Sequence, residues 1–175
     1  MTGTSMNRRR WQNFRRNRRA YVSLIVFCAC FALSLFAELL ANDRPILLKY
    51  RDGYYMPIFQ FYSEQTFGGD LRTEAIYGDV EVQCLIVTGG LDACWDTPEL
   101  LIEDAGDGTI GDQPAETGWI VWPLIPYHHS TISTLDVPAP SPPDSDHWLG
   151  TDDTARDVLA RIIYGFRLSV LFAIF

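Results

Sequence analysis

The sequence predicts a helical membrane protein with a long outer segment of mixed, irregular structure, on three observations. Ala20 to Ala41 is an apolar run with 18 uncharged residues before Glu38 and three after it. Charge changes sign across that run, and a second apolar run, Leu168 to Phe175, stands at the far end. At 1.5 Å per residue the first run covers roughly 33 Å, about the hydrocarbon thickness of a bilayer. Residues 20–41 are therefore expected to form a transmembrane helix.

The arm before it, residues 1–19, holds seven arginines and no acids. Basic residues flanking a span stay on the cytoplasmic side, so the N-terminus is expected inside and the following segment outside. Trp11 and Phe14 interleave the arginines. Directly before a hydrophobic helix, this pattern reads as a topology signal in reach of lipid headgroups rather than as a nucleic-acid arm. Cys28 and Cys30, two apart on one helix, point to nearly opposite faces and read as small buried apolar residues that cannot bridge each other. A cleaved leader is disfavoured. Its apolar core would be about 7–15 residues ending in a small-residue site, and this run continues past Ala32-Leu33-Ser34. Arg18-Arg19-Ala20 as a twin-arginine signal and Phe27-Cys28-Ala29-Cys30 as a lipoprotein box fail for the same reason.

Residues 42–150 carry four basic and 18 acidic side chains, a net −14. Pro45 to Tyr50 and Tyr54 to Tyr62 flank the turn Arg51-Asp52-Gly53, a hairpin pattern in which Pro57 confines its strand to an edge. Val80 to Thr88 reads as a buried strand or short helix that Gly89-Gly90 ends. Cys84 and Cys94 close an 11-residue loop. On the outer side a disulfide between them is expected, stabilising the fold by about 2–3 kcal/mol in the chain-entropy model.

Glu103 to Ile110 touches the pattern of a calcium loop at Asp107-Gly108-Thr109-Ile110. With Gly108 at the sixth position, Ala105 falls at the third and Pro114 at the twelfth, where ligands belong, so an acidic surface turn is expected. Trp119 to Tyr127 is apolar, with prolines that bar a regular helix. It suits packing or an interfacial position. His128-His129 lack Cys or carboxylate partners at ligand spacing and read as loop residues. No nucleophile elbow, phosphate loop, HExxH helix or paired cysteine ligands occur, so no catalytic, cofactor or metal residue is assigned. Residues 137–143 form a proline-stiffened linker that closes the outer segment, residues 42–146.

From His147 the pattern changes. Gly150 breaks the chain, Thr151 or Asp152 is placed to cap a helix, and Asp152-Asp153 suit its first turn. Val158, Leu159, Ile162, Ile163 and Phe166 recur at helical spacing, so residues 147–167 lead into an amphipathic interfacial helix. Leu168 to Phe175 is eight uncharged residues, all apolar but Ser169. That is well short of the roughly 20 that span a bilayer, so residues 168–175 read as the start of a second, truncated membrane helix and the sequence as a fragment.

Trp148-Leu149-Gly150-Thr151-Asp152, followed by Arg156-Asp157-Val158-Leu159-Ala160-Arg161-Ile162-Ile163-Tyr164-Gly165-Phe166-Arg167-Leu168-Ser169, resembles the LGTDxxGRDVLSRLIYGxRxSL signature of dipeptide and oligopeptide ABC-importer permeases, the OppC and DppC type. Phe14 to Arg19, Ala41 to Pro45, Ser63-Glu64, Phe67-Gly68-Gly69 and the long outer loop resemble the YejE branch, implicated in uptake of peptides and of microcin C. Together these positions are scattered over most of the chain. The resemblance implies a bacterial inner-membrane subunit, multi-pass in the parent protein, with residues 42–150 periplasmic. It also implies a second permease subunit, ATPase subunits and a periplasmic peptide-binding protein as partners, with ATP hydrolysis on the ATPase subunits and no cofactor here.

Leu149, Gly150, Thr151, Asp152, Arg156, Asp157, Arg161, Tyr164, Gly165, Arg167 and Ser169 are the signature positions, and their implied role is structural. Ala155 stands where the family usually has Gly. A helix accepts Ala better than Gly, so no loss of structure is expected. The alternatives are a single-pass anchor for a periplasmic structural or interaction domain, and an enzyme released by cleavage near Leu35.

Overall fold

The computed structural model describes residues 3–106, 109–110, 113–114, 118–133 and 138–175. Asp107 and Gly108 of the calcium-loop comparison and Val137 at the head of the linker lie outside the described residues. The chain divides into two units, one of residues 1–37 with 163–175, the other of residues 38–162.

In the first unit, α1 (Gly3–Arg16) holds five of the arginines and α2 (Arg18–Leu35) the apolar run. Asn17 separates them: it is extended, and its side chain accepts from the backbone N–H of Ala20, an N-cap. Trp11 and Phe14, three apart, stack at 5.7 Å. Among the described residues α2 is the helix long and apolar enough to cross a membrane, and almost none of it is buried. The regular helix ends at Leu35, because Phe36 leaves helical geometry, and a turn, α3 (Ala37–Leu40), follows. The apolar run is therefore not one helix from Ala20 to Ala41. Its last residues join the second unit, where Asn42 N–H donates to Ile125 and Ile125 N–H to Leu40.

The second unit is built on a small antiparallel sheet. The strands β1 (Leu47–Tyr50) and β2 (Gly53–Tyr55) form the hairpin, with Leu48 opposite Tyr55 and Tyr50 opposite Gly53. Leu48 and Tyr50 are buried while Leu47 and Lys49 are only partly so, the period-two alternation of a strand with one covered face. Pro57, without an N–H, stands just past the edge strand, and Phe59 and Phe61 are exposed.

Beyond a 3₁₀ turn at Glu64–Phe67 come α4 (Val80–Thr88), a second 3₁₀ turn at Asp92–Trp95 and α5 (Pro98–Gly106). The choice left open at residues 80–88 resolves as helix, ended by Gly89 and Gly90 at φ 76° and 90°. Glu103 to Ala105 belong to α5, begun by Pro98 at its first position, so they are helical rather than an acidic turn.

Two short strands, β3 (Thr109–Ile110) and β4 (Gln113–Pro114), pair with each other. The third strand of the main sheet, β5 (Trp119–Val121), pairs with β1, Lys49 facing Trp119. Gly118 enters it where a Cβ would overlap the carbonyl oxygens of Ile86 and Lys49. That close approach requires glycine. Leu48, Tyr50, Phe67, Tyr77, Val82 and Ile86 form the core, and edge-to-face ring contacts link Phe67 to Tyr50, Tyr55 and Tyr77 at 5.4–6.0 Å. The final helix is α6 (Val158–Ile174).

Candidate functional site

The signature residues at 150–161 converge on the first turn of α6. That helix starts at Val158, six residues after Asp152, so neither Thr151 nor Asp152 caps it. The cap is Asp157, whose Oδ1 accepts from Ala160 N–H at 2.7 Å. An aspartate at this position satisfies one donor the helix leaves open and faces the positive end of its dipole. Its other oxygen, Oδ2, accepts from His147 Nδ1 at 3.0 Å, and both side chains are almost fully buried. Tyr127 stacks on the His147 ring with centroids 4.4 Å apart. Burial and then Asp146 push the Tyr127 phenol up from its ordinary value, so it stays protonated.

Asp152 organises the turn before the helix. Its Oδ1 accepts from the N–H groups of Thr154 and Arg156 at 2.8 and 2.9 Å and from the Thr154 hydroxyl, and its Oδ2 pairs with Arg161. The backbone N–H of Arg156 is the main reason its carboxyl is held down at about 2. Ala155, in the same turn, has φ +58°. The sequence places it in a helix that accepts Ala; the structure places it in the left-handed region, which favours glycine for want of a Cβ. The departure from the family pattern is therefore a source of local strain.

The proline-rich stretch is not a free spacer. Ser141 is buried, its N–H donates to Thr151 Oγ1 at 3.0 Å, and Thr151 N–H returns to Ser141 O at 3.1 Å. Gly150, at φ +72°, sits where a Cβ would strike the Ser141 carbonyl. Leu149 is exposed. The Nε of Arg156 is buried without a hydrogen-bond partner among the described residues.

Farther along α6, Arg167 lies over the Tyr164 ring at 4.8 Å, while Gly165 and Ser169 are exposed. The structure thus joins Gly150 to Arg161 around His147 and does not draw Leu149, Gly165 or Ser169 into that cluster. Sequence reading missed His147, Ser141 and Tyr127, which come from a linker and a loop. No local spacing announces them.

Cys84 and Cys94 are linked, Cα–Cα 5.6 Å, fastening α4 to the following 3₁₀ turn. His128 and His129 lie ring to ring at 4.0 Å, and His128 Nδ1 is 2.8 Å from the Ser130 hydroxyl. Burial and the neighbouring His129 push the His128 pKa down. Among the described residues no group of three or more metal-ligating side chains occurs. What this arrangement does is positional: polar residues clamp the approach to an apolar helix.

Comparison with known proteins adds to this geometry. Residues 5–57 match the family described as the N-terminal TM domain of oligopeptide transport permease C. Over 97% of its length the chain is 39% identical to the inner membrane ABC transporter permease protein YejE of Escherichia coli K12, covering 42% of that protein. It is 35% identical to the peptidoglycan transport system permease protein YejE of Agrobacterium fabrum, over 95% of the chain and 43% of that protein. A 48-residue stretch is 42% identical to the oligopeptide transport system permease protein OppC of Bacillus subtilis, covering 27% of the chain and 15% of that protein. The chain spans less than half the length of the YejE relatives. No solved structure matches it.

Proposed function

We propose, because this chain belongs with the YejE-like ABC peptide-transporter permeases, that it serves as a transmembrane permease subunit of an importer for peptides or oligopeptides. The observation that carries the reading is the 39% identity along 97% of the chain, which includes the signature cluster at the start of α6. In this reading α2 anchors the subunit in the inner membrane with the arginine-rich α1 on the cytoplasmic side. Residues 42–150 are periplasmic, the Cys84–Cys94 pair is oxidised there, and α6 enters the bilayer beyond Arg167. A second permease, ATPase subunits and a periplasmic peptide-binding protein are its partners, and ATP hydrolysis belongs to the ATPase subunits.

The cluster at Asp157 fits this role physically. A helix leaving water for lipid must enter at a fixed angle with its first N–H groups satisfied, because unpaired backbone groups are costly in hydrocarbon. Asp157 satisfies one of them, and the buried His147 fixes the carboxylate that does so.

The test is uptake of a labelled oligopeptide by cells in which the gene encoding this chain is disrupted. The reading expects uptake to fall and to return with the intact gene. Unchanged uptake, in a host without a second peptide importer, overturns it.

A further inference from the structure

A groove of about 450 Å³ lies between α1 and α2, lined by Asn7, Arg10, Trp11 and Phe14 from the first helix and Leu24 from the second. The four α1 residues stand at i, i+3, i+4 and i+7, the spacing of a single helix face. Trp11 and Phe14 stack on each other there, yet Trp11 stays 51% exposed, so the chain itself leaves this apolar wall partly uncovered. Asn17, the residue between the helices, fixes the elbow by capping α2. Arg15 reaches across it, with its guanidinium 5.6 Å over the Tyr21 ring.

An occupant of this groove has to satisfy two chemistries at once. Two rings and a leucine make its walls apolar, and the leucine belongs to α2, the helix long and apolar enough to cross a membrane. Arg10 adds a cation, and the seven arginines of residues 1–19 stand with no acid among them. Among the described residues none of the seven is in an ion pair, so their counter-charge comes from outside the arm. A phospholipid with a net negative headgroup meets both demands. Its phosphate accepts two parallel N–H bonds from a guanidinium, and its acyl chain lies against aromatic rings of the kind favoured at the bilayer interface. A nucleic acid would meet the charge and stack on Trp11 but would leave Leu24 without an apolar partner.

We propose that the groove between α1 and α2 is a binding site for an anionic phospholipid, with the headgroup phosphate on Arg10 and an acyl chain against Trp11, Phe14 and Leu24. The other arginines raise the local concentration of anionic lipid, each by roughly fivefold, and Arg10 makes the site selective. The inference rests on the membrane position of α2 given under the proposed function. It is read by lipid contact, so a chain that fails the test below and still restores peptide uptake loses the lipid site alone.

The test is quenching of tryptophan fluorescence by brominated acyl chains, with the full chain in nanodiscs of equimolar phosphatidylcholine and phosphatidylglycerol and bromine on one lipid at a time. The chain has five tryptophans, so the share of Trp11 is the difference from Trp11→Phe. Brominated phosphatidylglycerol is expected to occupy the Trp11 site at least ~5-fold more than brominated phosphatidylcholine. Arg10→Gln, which keeps the length and polarity of an exposed side chain, should lower that preference ~5-fold, towards parity. Arg9→Gln, off the groove face, should leave it within ~2-fold, which separates a site from a merely basic surface. Equal quenching by the two lipids, or an equal loss in Arg9→Gln and Arg10→Gln, overturns the proposal. So does relief of Trp11 quenching by an equimolar single-stranded RNA, which would make nucleic acid the occupant.

Discussion

Ala155 is the residue at which sequence and structure disagree most usefully. Read as a helical position, Ala is the better choice; at φ +58° in the turn before α6, it is the worse one. Left-handed geometry costs an L-residue ~1–2 kcal/mol, and glycine's greater freedom in the unfolded chain offsets ~0.4–1 of that. Ala155→Gly is therefore expected to stabilise the chain by about 0.5–1 kcal/mol, seen as a rise in Tm. A fall in Tm would show that the turn is not left-handed.

Two residues on, Asp157→Ala removes the cap of α6, worth ~1 kcal/mol, and leaves the buried His147 without its acceptor, worth ~1–3 kcal/mol. A loss of about 2–4 kcal/mol is expected, against little change for the exposed Asp153→Ala. Asp152 gives the pH dependence. Its carboxyl is lowered from the ordinary 3.8 to about 2, so its contribution is complete above the unfolded value and is lost as pH falls through about 2. Unfolding followed across that range should show an acid limb that is shallower in Asp152→Asn.

At the scale of elements, patterns confined to a few neighbouring residues were legible in the sequence, and partnerships across long separations were not. The hairpin was readable because Arg51-Asp52-Gly53 is local turn chemistry. The end of α4 was readable because two glycines follow Thr88. Its type was not, because the six apolar residues among the nine of Val80–Thr88 fit a buried strand as well as a helix. The extent of α2 was misjudged because hydropathy does not report that Leu40 and Asn42 make backbone hydrogen bonds to Ile125, 83 or more positions away. The signature was visible as a string, yet its organising contact, His147 to Asp157, links a loop residue to a helix cap.

The structure links the two cysteines whose spacing suggested a pair. The contribution of the link follows from closing the loop, so reduction is expected to cost about 2–3 kcal/mol. Unfolding of the second unit should shift to lower denaturant in dithiothreitol, and Cys84→Ala/Cys94→Ala should lose that sensitivity. A chain indifferent to reductant would mean that the pair is not oxidised.

For the whole molecule, the charge asymmetry makes the account testable. The net −14 on residues 42–150 should steer a partner of opposite charge, and such attraction between exposed charges is screened within about 10 Å at 0.1 M salt. Under the proposed function, association with a peptide-binding protein is expected to slow as salt rises. Equal association rates at low and high salt would remove electrostatic steering.

In the proposed function α2 crosses the membrane with α1 inside and residues 42–150 outside. The measurement that tests it most directly is labelling of single cysteines by a membrane-impermeant maleimide in intact spheroplasts. Cys28→Ala/Cys30→Ala is the background, because the Cys84–Cys94 bridge leaves no reactive thiol. Phe59→Cys, at an exposed position of the second unit, should label at once. Arg9→Cys on α1 should label only after the membrane is opened. Labelling of Arg9→Cys in intact spheroplasts with Phe59→Cys protected would reverse the orientation, and equal labelling of both would mean that α2 does not span.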